Sequence, residues 1–371
     1  MLSDHQYMIR ALQLAERGVC TTHPNPSVGC VLVHDNDIVG EGWHERAGGP
    51  HAEIRALDQA GKRAAGATAY VTLEPCCHDG KTPPCTTALI DAGIIRVVLA
   101  MEDPNPLVAG KGTKALKEAG VAVGCGLLKE PAERINAGFI KRMLSQRPLV
   151  RVKLAMSLDG RTAMASGESK WITATEARHD VMRLRARSSA IITGIGTVMA
   201  DDPSLTVRTE HYPELVALLG DDYQQPMRVI LDPYLATPEH AKMFSLPGKT
   251  LIVTATSFDK EDIIRYTKQG VEVIHMPGEV DAVSLPRLLD YLAEREINDV
   301  LVETGATLSG AFVQAGLVDE LWIYMAPKLM GNQARGLFHL PDLESMNDAI
   351  SLKIKDLRAV GDDWRIIASL A

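Results

Sequence analysis

The sequence contains no long apolar run, no excess of positive charge and no cysteine after Cys125. A membrane-spanning helix needs about 18 consecutive apolar residues, so none is expected. Residues 1–18 carry charged side chains at short intervals and lack the apolar core of a signal peptide, which predicts a cytoplasmic protein. The net charge of −8 offers no basic surface for a nucleic-acid backbone, so a small-molecule substrate is favoured, with neither nucleic acid nor membrane as a partner.

Length and the uneven distribution of residue types indicate two domains. At about 100–200 residues per domain, 371 residues suit two domains better than one. The six cysteines all lie in residues 1–125, and the excess of acidic side chains lies wholly beyond residue 147. Pro148 disfavours the helical conformation in the residue before it, so we place the boundary between domains of residues 1–147 and 148–371.

Both domains are expected to be layered α/β structures. In the first, strands and helices alternate; the pattern predicts paired strands over 28–44, a helix over 51–61 and a polar helix over 130–146. In the second, apolar segments such as 189–194 and 299–305 alternate with helical patterns. Alternation of this kind is typical of a sheet covered by helices.

The strongest chemical signal is a group of potential metal ligands in the first domain. His51, Cys76 and Cys85 would supply one imidazole and two thiolates, which zinc accepts in a tetrahedral site with one position left for water. In a reducing compartment, such cysteines are more often metal ligands than disulfide partners. Glu53 lies two residues after His51, in the same predicted helical turn. From there a carboxylate can take a proton from water and pass it to a leaving amine.

The pattern H-x-E followed by Pro-Cys is typical of zinc deaminases, although eight residues separate Cys76 from Cys85 where the usual motif has two. Cys77 and His78 are candidates for a fourth ligand, but neighbouring side chains point apart and a fourth ligand would close the site. A helix predicted to begin near Cys85 would favour its thiolate. The alternatives are a closed structural zinc site or buried thiols, which we disfavour because neither has any need of Glu53.

Four segments of the first domain, THPNPSVGCVLV, GWHERAGGPHAE, YVTLEPCCHDGKTPPCT and MEDPNP, resemble the deaminase half of the bifunctional riboflavin-biosynthesis deaminase/reductase family. The resemblance implies a cytidine-deaminase-like α/β/α domain with one zinc ion, acting on a diaminopyrimidinone that carries a ribose 5-phosphate. The family usually has serine at the position of Cys77. The resemblance also implies substrate contacts from Asn25, His44, His78, Lys81, Asp103 and Asn105. Of these, Lys81 suits a phosphate because it is a mobile point charge.

Two turns in the second domain follow predicted strands and enter predicted helices. The segment from Thr193 to Thr197 has two glycines of a phosphate-binding turn but lacks the third, so a dinucleotide-binding Rossmann motif is a poor match. The segment from Glu303 to Gly310 also leaves a strand, and backbone N–H groups at such a helix start bind phosphates. On pattern alone, both segments fit ordinary strand-to-helix turns equally well.

The segments KLAMSLDGRTA, SGESKWIT, DVMRLRARSSAIITGIGTVMADDPSLTVR, VETGATLSGAF and ELWIYMAPKLMG resemble the reductase half of the same family. The resemblance implies a dihydrofolate-reductase-like α/β domain that uses NADPH to convert a ribosyl chain into a ribityl chain. It implies NADPH contacts from Ala155, Trp171, Thr197, Asp201, Gly305, Ala306, Thr307, Leu308, Ser309 and Gly310. It implies substrate contacts from Ser169, Arg185, Leu205, Arg208 and Glu303, in which the two arginines suit a sugar phosphate. We add the hypothesis that Lys153 protonates or polarises the sugar.

The leading hypothesis is a bifunctional enzyme that removes an exocyclic amine with zinc and then reduces the sugar with NADPH. A homo-oligomer acting on phosphorylated pyrimidines is expected. The alternatives are a deaminase with a degenerate C-terminal binding module, an RNA-editing deaminase and a protein whose metal is structural. The electrically balanced first half and the acidic second half argue against RNA.

Overall fold

The computed structural model describes residues 2–77, 84–106, 108–209, 212–220, 223–279 and 281–371. The chain divides into two units, Met1–Arg147 and Pro148–Ala371. The division falls one residue after Gln146, whose left-handed backbone (φ 54°) follows the last helix of the first unit. Among the described residues, no helix combines the length and the apolar character needed to cross a membrane.

The first unit is built on a mixed sheet with apolar side chains on both faces. Its strands are β1 (Gly29–His34), β2 (Asp37–Trp43), β3 (Thr68–Val71), β4 (Arg96–Leu99) and β5 (Ala122–Cys125), arranged in the order β2-β1-β3-β4-β5. β1 runs antiparallel to β2 and β3, whereas β3, β4 and β5 are parallel. In β1, Cys30 and Leu32 pack into one apolar cluster and Val31 and Val33 into another, because successive side chains of a strand point to opposite faces.

Helices cover both faces of this sheet. They are α1 (Asp4–Glu16), α2 (Ala52–Ala60), α3 (Cys85–Asp91), α4 (Lys111–Glu118), α5 (Lys129–Ile135) and α6 (Ala137–Ser145). Apolar residues of α2, α3 and α4 belong to one cluster, and those of α1 and α5 belong to the other. This arrangement confirms the α/β/α class predicted for the first half.

The prediction of one continuous helix over 130–146 is wrong. The helix is interrupted at Asn136, whose backbone (φ −106°, ψ 21°) ends α5 and precedes α6. The Asn136 side chain bonds to the backbone of Ser27 in a distant segment, a contact that the local helical pattern of the sequence does not contain.

The second unit is built on a larger mixed sheet. Its strands are β6 (Leu149–Ser157), β8 (Ala190–Gly194), β9 (Met227–Leu231), β10 (Thr250–Thr254), β11 (Glu272–His275), β12 (Asp299–Glu303), β13 (Glu320–Ala326), β15 (Leu352–Val360) and β16 (Asp363–Leu370). Their order is β11-β10-β9-β8-β12-β6-β13-β16-β15, and a separate small ribbon pairs β7 (Arg161–Ala163) with β14 (Arg335–Gly336). The neighbours from β11 to β13 are parallel, whereas β16 runs antiparallel to β13 and β15. The sequence does not predict β15, because most of its side chains are exposed and several are charged.

The helices of this unit are α7 (Thr175–Ala186), α8 (Ile195–Asp201), α9 (Pro213–Leu219), α10 (Lys260–Thr267), α11 (Leu285–Glu294) and α12 (Ala306–Gln314). The main core lies on one face of the sheet, where Val152 and Val302 pack with Leu288 of α11 and Phe312 of α12. On the opposite face, α7 contributes polar side chains, including Arg185. The unit therefore confirms the predicted α/β class and places a charged group against the sheet.

Candidate active sites

Three potential metal ligands converge in the first unit from three different segments. His51 is the N-terminal cap of α2, Cys85 is the first residue of α3, and Cys76 lies in the segment after β3. His51 Nδ1 lies 3.2 Å from Cys85 Sγ and 3.6 Å from Cys76 Sγ. One donor atom from each of the three residues lies within 4.8 Å of the others.

The donor set and its spacing fit zinc. Tetrahedral coordination with ordinary Zn–N and Zn–S bonds separates the ligand atoms by roughly 3.3–3.8 Å, close to the distances found. Hydrogen bonds favour the thiolate of Cys76: the Cys85 thiol has the largest effect, and the His51 ring and the Cys85 backbone N–H (3.3 Å) add to it, so the pKa of Cys76 is lowered. The start of α3 therefore stabilises the sulfur of Cys76, whereas the sequence led us to expect stabilisation of Cys85.

Glu53 lies in the first turn of α2, close to His51, and is only 3% exposed. The pKa of Glu53 is raised to about 7: burial has the largest effect and the Cys76 sulfur adds to it, whereas the backbone N–H of Glu53 and His51 act in the opposite direction. The Cys85 side chain also lowers the pKa of this carboxyl group. A group with a pKa near 7 is suited to taking up and releasing a proton at neutral pH.

Asn25 and His44 lie together beside the ligand group. The Asn25 amide Nδ2 is 3.3 Å from His44 Nε2, His44 Nδ1 is 3.1 Å from the carbonyl oxygen of Pro50, and the His44 ring packs edge-on against His51. Since the carbonyl of Pro50 can only accept, His44 carries its proton on Nδ1 and accepts at Nε2 from Asn25. Burial lowers the pKa of His44, which favours this neutral form.

The remaining substrate candidates of the first half are only partly described. Asp103 and Asn105 lie in the loop after β4, where Asp103 Oδ1 accepts from the Asn105 backbone N–H at 2.8 Å. His78 and Lys81 lie outside the described residues. Their predicted roles stay predictions.

Sequence reasoning missed Asn136, which fixes the segment that carries Asn25. Its Oδ1 accepts from the Ser27 N–H at 2.7 Å and its Nδ2 donates to the Ser27 carbonyl at 2.9 Å, and both residues are buried. The asparagine at the break between α5 and α6 was the available signal, because asparagine side chains commonly bond to backbone groups at helix ends.

Replacing Asn136 by alanine is expected to lower the free energy of unfolding of the first unit by about 1–3 kcal/mol, because two buried backbone groups of Ser27 lose their partners. Urea denaturation followed by circular dichroism measures the change. The matched control is Ser145→Ala on α6, whose exposed hydroxyl bonds only within its own helix. Equal stability of the Asn136 and Ser145 variants would contradict the prediction.

In the second unit, the sheet brings Lys153, Glu303 and Arg185 together. Parallel pairing places Glu303 of β12 beside Lys153 of β6, two residues before Ala155. Arg185 donates from Nε and Nη2 to the two Glu303 oxygens, at 2.5 and 2.9 Å. Burial opposes the charge on Glu303, but Arg185, Lys153 and Arg208 outweigh it, so the pKa of Glu303 is lowered. Burial also lowers the pKa of Lys153; Glu303 opposes this effect and Arg185 adds to it.

Arg185 also orders the loop that carries Leu205 and Arg208. Its Nη1 donates to the carbonyl of Thr206 at 2.9 Å. Leu205 is buried with a left-handed backbone (φ 47°), whereas Arg208 is exposed. The two arginines thus differ: Arg185 is engaged by protein groups, and Arg208 faces solvent.

The indole of Trp171 is an exposed aromatic group of the second unit. Trp171, two residues after Ser169, is 63% exposed, and the Arg178 guanidinium lies 4.9 Å from its ring centre. Lys170 pairs with Asp201 at the end of α8 at 2.9 Å, which ties this segment to the helix that contains Thr197.

The segment from Gly305 to Gly310 forms the start of α12: Gly305 is the N-terminal cap, without a side-chain hydrogen bond, and the residues after it are helical. Within the part of the chain that the structure describes, the buried Ser309 hydroxyl has no hydrogen-bond partner. A side chain at Gly310 would meet the carbonyl oxygen of His339 at 2.0 Å, so only glycine fits there. The backbone N–H groups at the start of a helix suit the phosphates of a dinucleotide, whereas the Ser309 side chain is fully buried.

Comparison with known proteins shows similarity over both units. Residues 1–101 match the family model described as the cytidine and deoxycytidylate deaminase zinc-binding region, and residues 148–366 match the RibD C-terminal domain. The riboflavin biosynthesis protein RibD of Escherichia coli (strain K12) is 51% identical over 365 residues, covering 98% of each chain. The structure of Acinetobacter baumannii RibD, form 1, has 46% identity, covers 99% of both chains and superposes with a TM-score of 0.90. A deaminase/reductase structure from Thermotoga maritima has 32% identity, the same coverage and a TM-score of 0.87.

Proposed function

The chain belongs to the family of the riboflavin biosynthesis protein RibD, a bifunctional deaminase and reductase, and from this premise we propose how its residues divide the two reactions. The substrates we assign are 2,5-diamino-6-(5-phosphoribosylamino)pyrimidin-4(3H)-one for the deaminase and 5-amino-6-(5-phosphoribosylamino)uracil for the reductase. The match of residues 148–366 to a reductase family supports this assignment over a degenerate binding module.

In the first unit, His51, Cys76 and Cys85 would hold one zinc ion. The ion, when bound, would make water reactive at neutral pH. The observation that carries this proposal is the convergence of one donor atom each from His51, Cys76 and Cys85. The buried Glu53 carboxyl group lies two residues after His51, in the first turn of the helix that His51 caps. Glu53 would take a proton from the attacking water and deliver it to the departing amine.

Asn25 and His44 would orient the pyrimidine ring, with Asp103 and Asn105 on the loop after β4. Because the Asn25 amide nitrogen is used by His44, its carbonyl oxygen is left to accept from an amino group of the substrate. Lys81 and His78 would hold the phosphate and the ring. Neutral His44 adds no positive charge beside the proposed cation.

In the second unit, NADPH would bind at the edge of the sheet where the parallel strands end, and would supply the hydride. The backbone N–H groups at the start of α12 would hold its phosphates. Ala155, Thr197 and Asp201 would line the same site, and the exposed Trp171 indole would cover one side of it.

The predicted substrate contacts of this unit would be Ser169, Arg185, Leu205, Arg208 and Glu303, and Arg185 would also hold Glu303 and the loop in place. Arg208 is exposed and able to bind phosphate in bidentate fashion. Lys153 would present its proton to the sugar oxygen as reduction proceeds. A homo-oligomer in the cytoplasm stays a prediction.

A coupled assay on the diaminopyrimidinone phosphate tests the two assignments together. Without NADPH, we expect the deaminated ribosyl compound to accumulate. After removal of zinc by a chelator, we expect no NADPH oxidation from the diamino substrate but normal oxidation when the deaminated compound is supplied. NADPH oxidation from the diamino substrate in fully zinc-free enzyme would contradict the proposal.

A further inference from the structure

Glu74 is a buried carboxylate just before the first cysteine ligand, and it has no part in the proposed chemistry of deamination. Its side chain is 3% exposed. One oxygen accepts from the backbone N–H of Thr113 at 2.8 Å, and the other accepts from Asp103 at 3.1 Å and Gly110 at 3.0 Å. All three donors belong to the chain segment between β4 and the first turn of α4.

Two of these donors, Gly110 and Thr113, are groups that a helix start leaves without partners. Gly110 is the N-terminal cap of α4 and has no side chain to bond to the first turn, while Thr113 is the third residue of the helix. The carboxylate of Glu74 therefore caps α4 from another segment, where a negative charge also suits the helix dipole. Its bond to Asp103 holds the other end of the same loop, next to Asn105.

Close packing fixes the distance between this helix and the ligand segment. A side chain at Gly112 would meet the carbonyl oxygen of Pro75 at 2.2 Å, so the first turn of α4 lies directly against the residue before Cys76. The Cys76 carbonyl in turn accepts from Thr86 of α3, at 3.1 Å from its backbone N–H. A continuous set of contacts thus joins the loop of Asp103 and Asn105 to the ligand group.

We propose that Glu74 is a positioning residue for the deaminase, which sets the loop of Asp103 and Asn105 at the correct distance from His51, Cys76 and Cys85. This inference rests on the proposed function, in which that loop contacts the substrate. Loss of the carboxylate would weaken binding of the diaminopyrimidinone phosphate, while the zinc ligands and Glu53 stay in place.

Glu74→Gln is the test variant, because glutamine has the same shape but its amide nitrogen cannot accept from a backbone N–H. We expect the deaminase KM to rise by roughly tenfold and kcat to stay within about threefold, since a loss of charge-assisted hydrogen bonds displaces the loop. Zinc content by mass spectrometry and reduction of the deaminated compound should match the wild type.

Gly112→Ala moves the helix start and keeps the carboxylate; it should raise KM in the same way. The control is Glu102→Gln, an exposed carboxylate in the same loop.

Asn105→Ala separates failure of this inference from failure of the proposed function. If Asn105→Ala leaves the deaminase KM unchanged, the loop does not bind the substrate, and the substrate contact assigned to Asn105 in the proposed function is wrong. If Asn105→Ala raises KM but neither Glu74→Gln nor Gly112→Ala does, the positioning role is wrong. A fall in kcat with unchanged KM, or loss of zinc in Glu74→Gln, would also overturn it. If both roles are correct, the fold-increase in KM of the Glu74→Gln, Asn105→Ala double variant should be well below the product of the fold-increases of the two single variants.

Discussion

Replacing Glu53 by glutamine is expected to lower the rate of deamination by roughly 10²–10⁴-fold, the usual contribution of a positioned general acid–base group. Glutamine keeps the size of the side chain and its place in α2, but it can neither take a proton from water nor return one to the leaving amine. The substitution should lower kcat, because Glu53 would transfer a proton in the transition state and would contribute little to binding of the substrate in the ground state.

Two further measurements make the Glu53 result specific. Zinc content should stay at one ion per chain, because Glu53 does not belong to the three-residue ligand group. Reduction of the deaminated compound should continue at the wild-type rate. Asp58→Asn, an exposed position on the same helix, is the matched control. If Glu53→Gln kept more than a tenth of the activity, or lost its zinc, the carboxylate would not have the assigned role.

Replacing Lys153 by alanine is expected to lower the rate of reduction by roughly 10²–10⁴-fold while deamination is unchanged. Burial lowers the pKa of Lys153, against the influence of Glu303, so its ammonium group gives up a proton more readily than an exposed lysine does. The fold should persist, because Arg185 still pairs with Glu303 in the variant. NADPH oxidation with the deaminated compound measures the rate.

Arginine at the same position separates proton donation from simple charge. Lys153→Arg keeps the positive charge, but a guanidinium does not release its proton in proteins, so it should not restore reduction. Lys353→Ala on the exposed face of β15 is the control for the loss of a lysine in this unit. A wild-type rate in Lys153→Ala would show that the hypothesis for this residue is wrong, and a wild-type rate in Lys153→Arg would show that its role is purely electrostatic.

The sequence predicts best where chemistry depends on residues with distinctive types and spacing. His51, Glu53, Cys76 and Cys85 are recognisable because an imidazole, a carboxylate and two thiols in this order are typical of zinc deaminases and of few other sites. The layered α/β class also follows from apolar periodicity, since β1 carries alternating side chains into two separate cores.

The sequence predicts poorly where a contact joins distant segments. Asn136 and Ser27 are 109 residues apart, and nothing in the periodicity of 130–146 shows that an asparagine there would bond elsewhere and divide the helix. The carboxylate of Glu74 likewise reaches α4 from a separate segment of the chain. The pairing of Arg185 with Glu303, 118 residues further along the chain, is also absent from the sequence pattern.

The pairing of Arg185 with Glu303 limits how this protein can change over evolutionary time. The two positions lie 118 residues apart on α7 and β12, and both side chains are largely withdrawn from water. Loss of Glu303 alone would leave the positive charges of Arg185 and Lys153 without their buried counterpart, at a cost of about 3–5 kcal/mol, which is a large part of the stability of a typical domain. A substitution of Glu303 therefore requires a second, compensating substitution of its cationic partner.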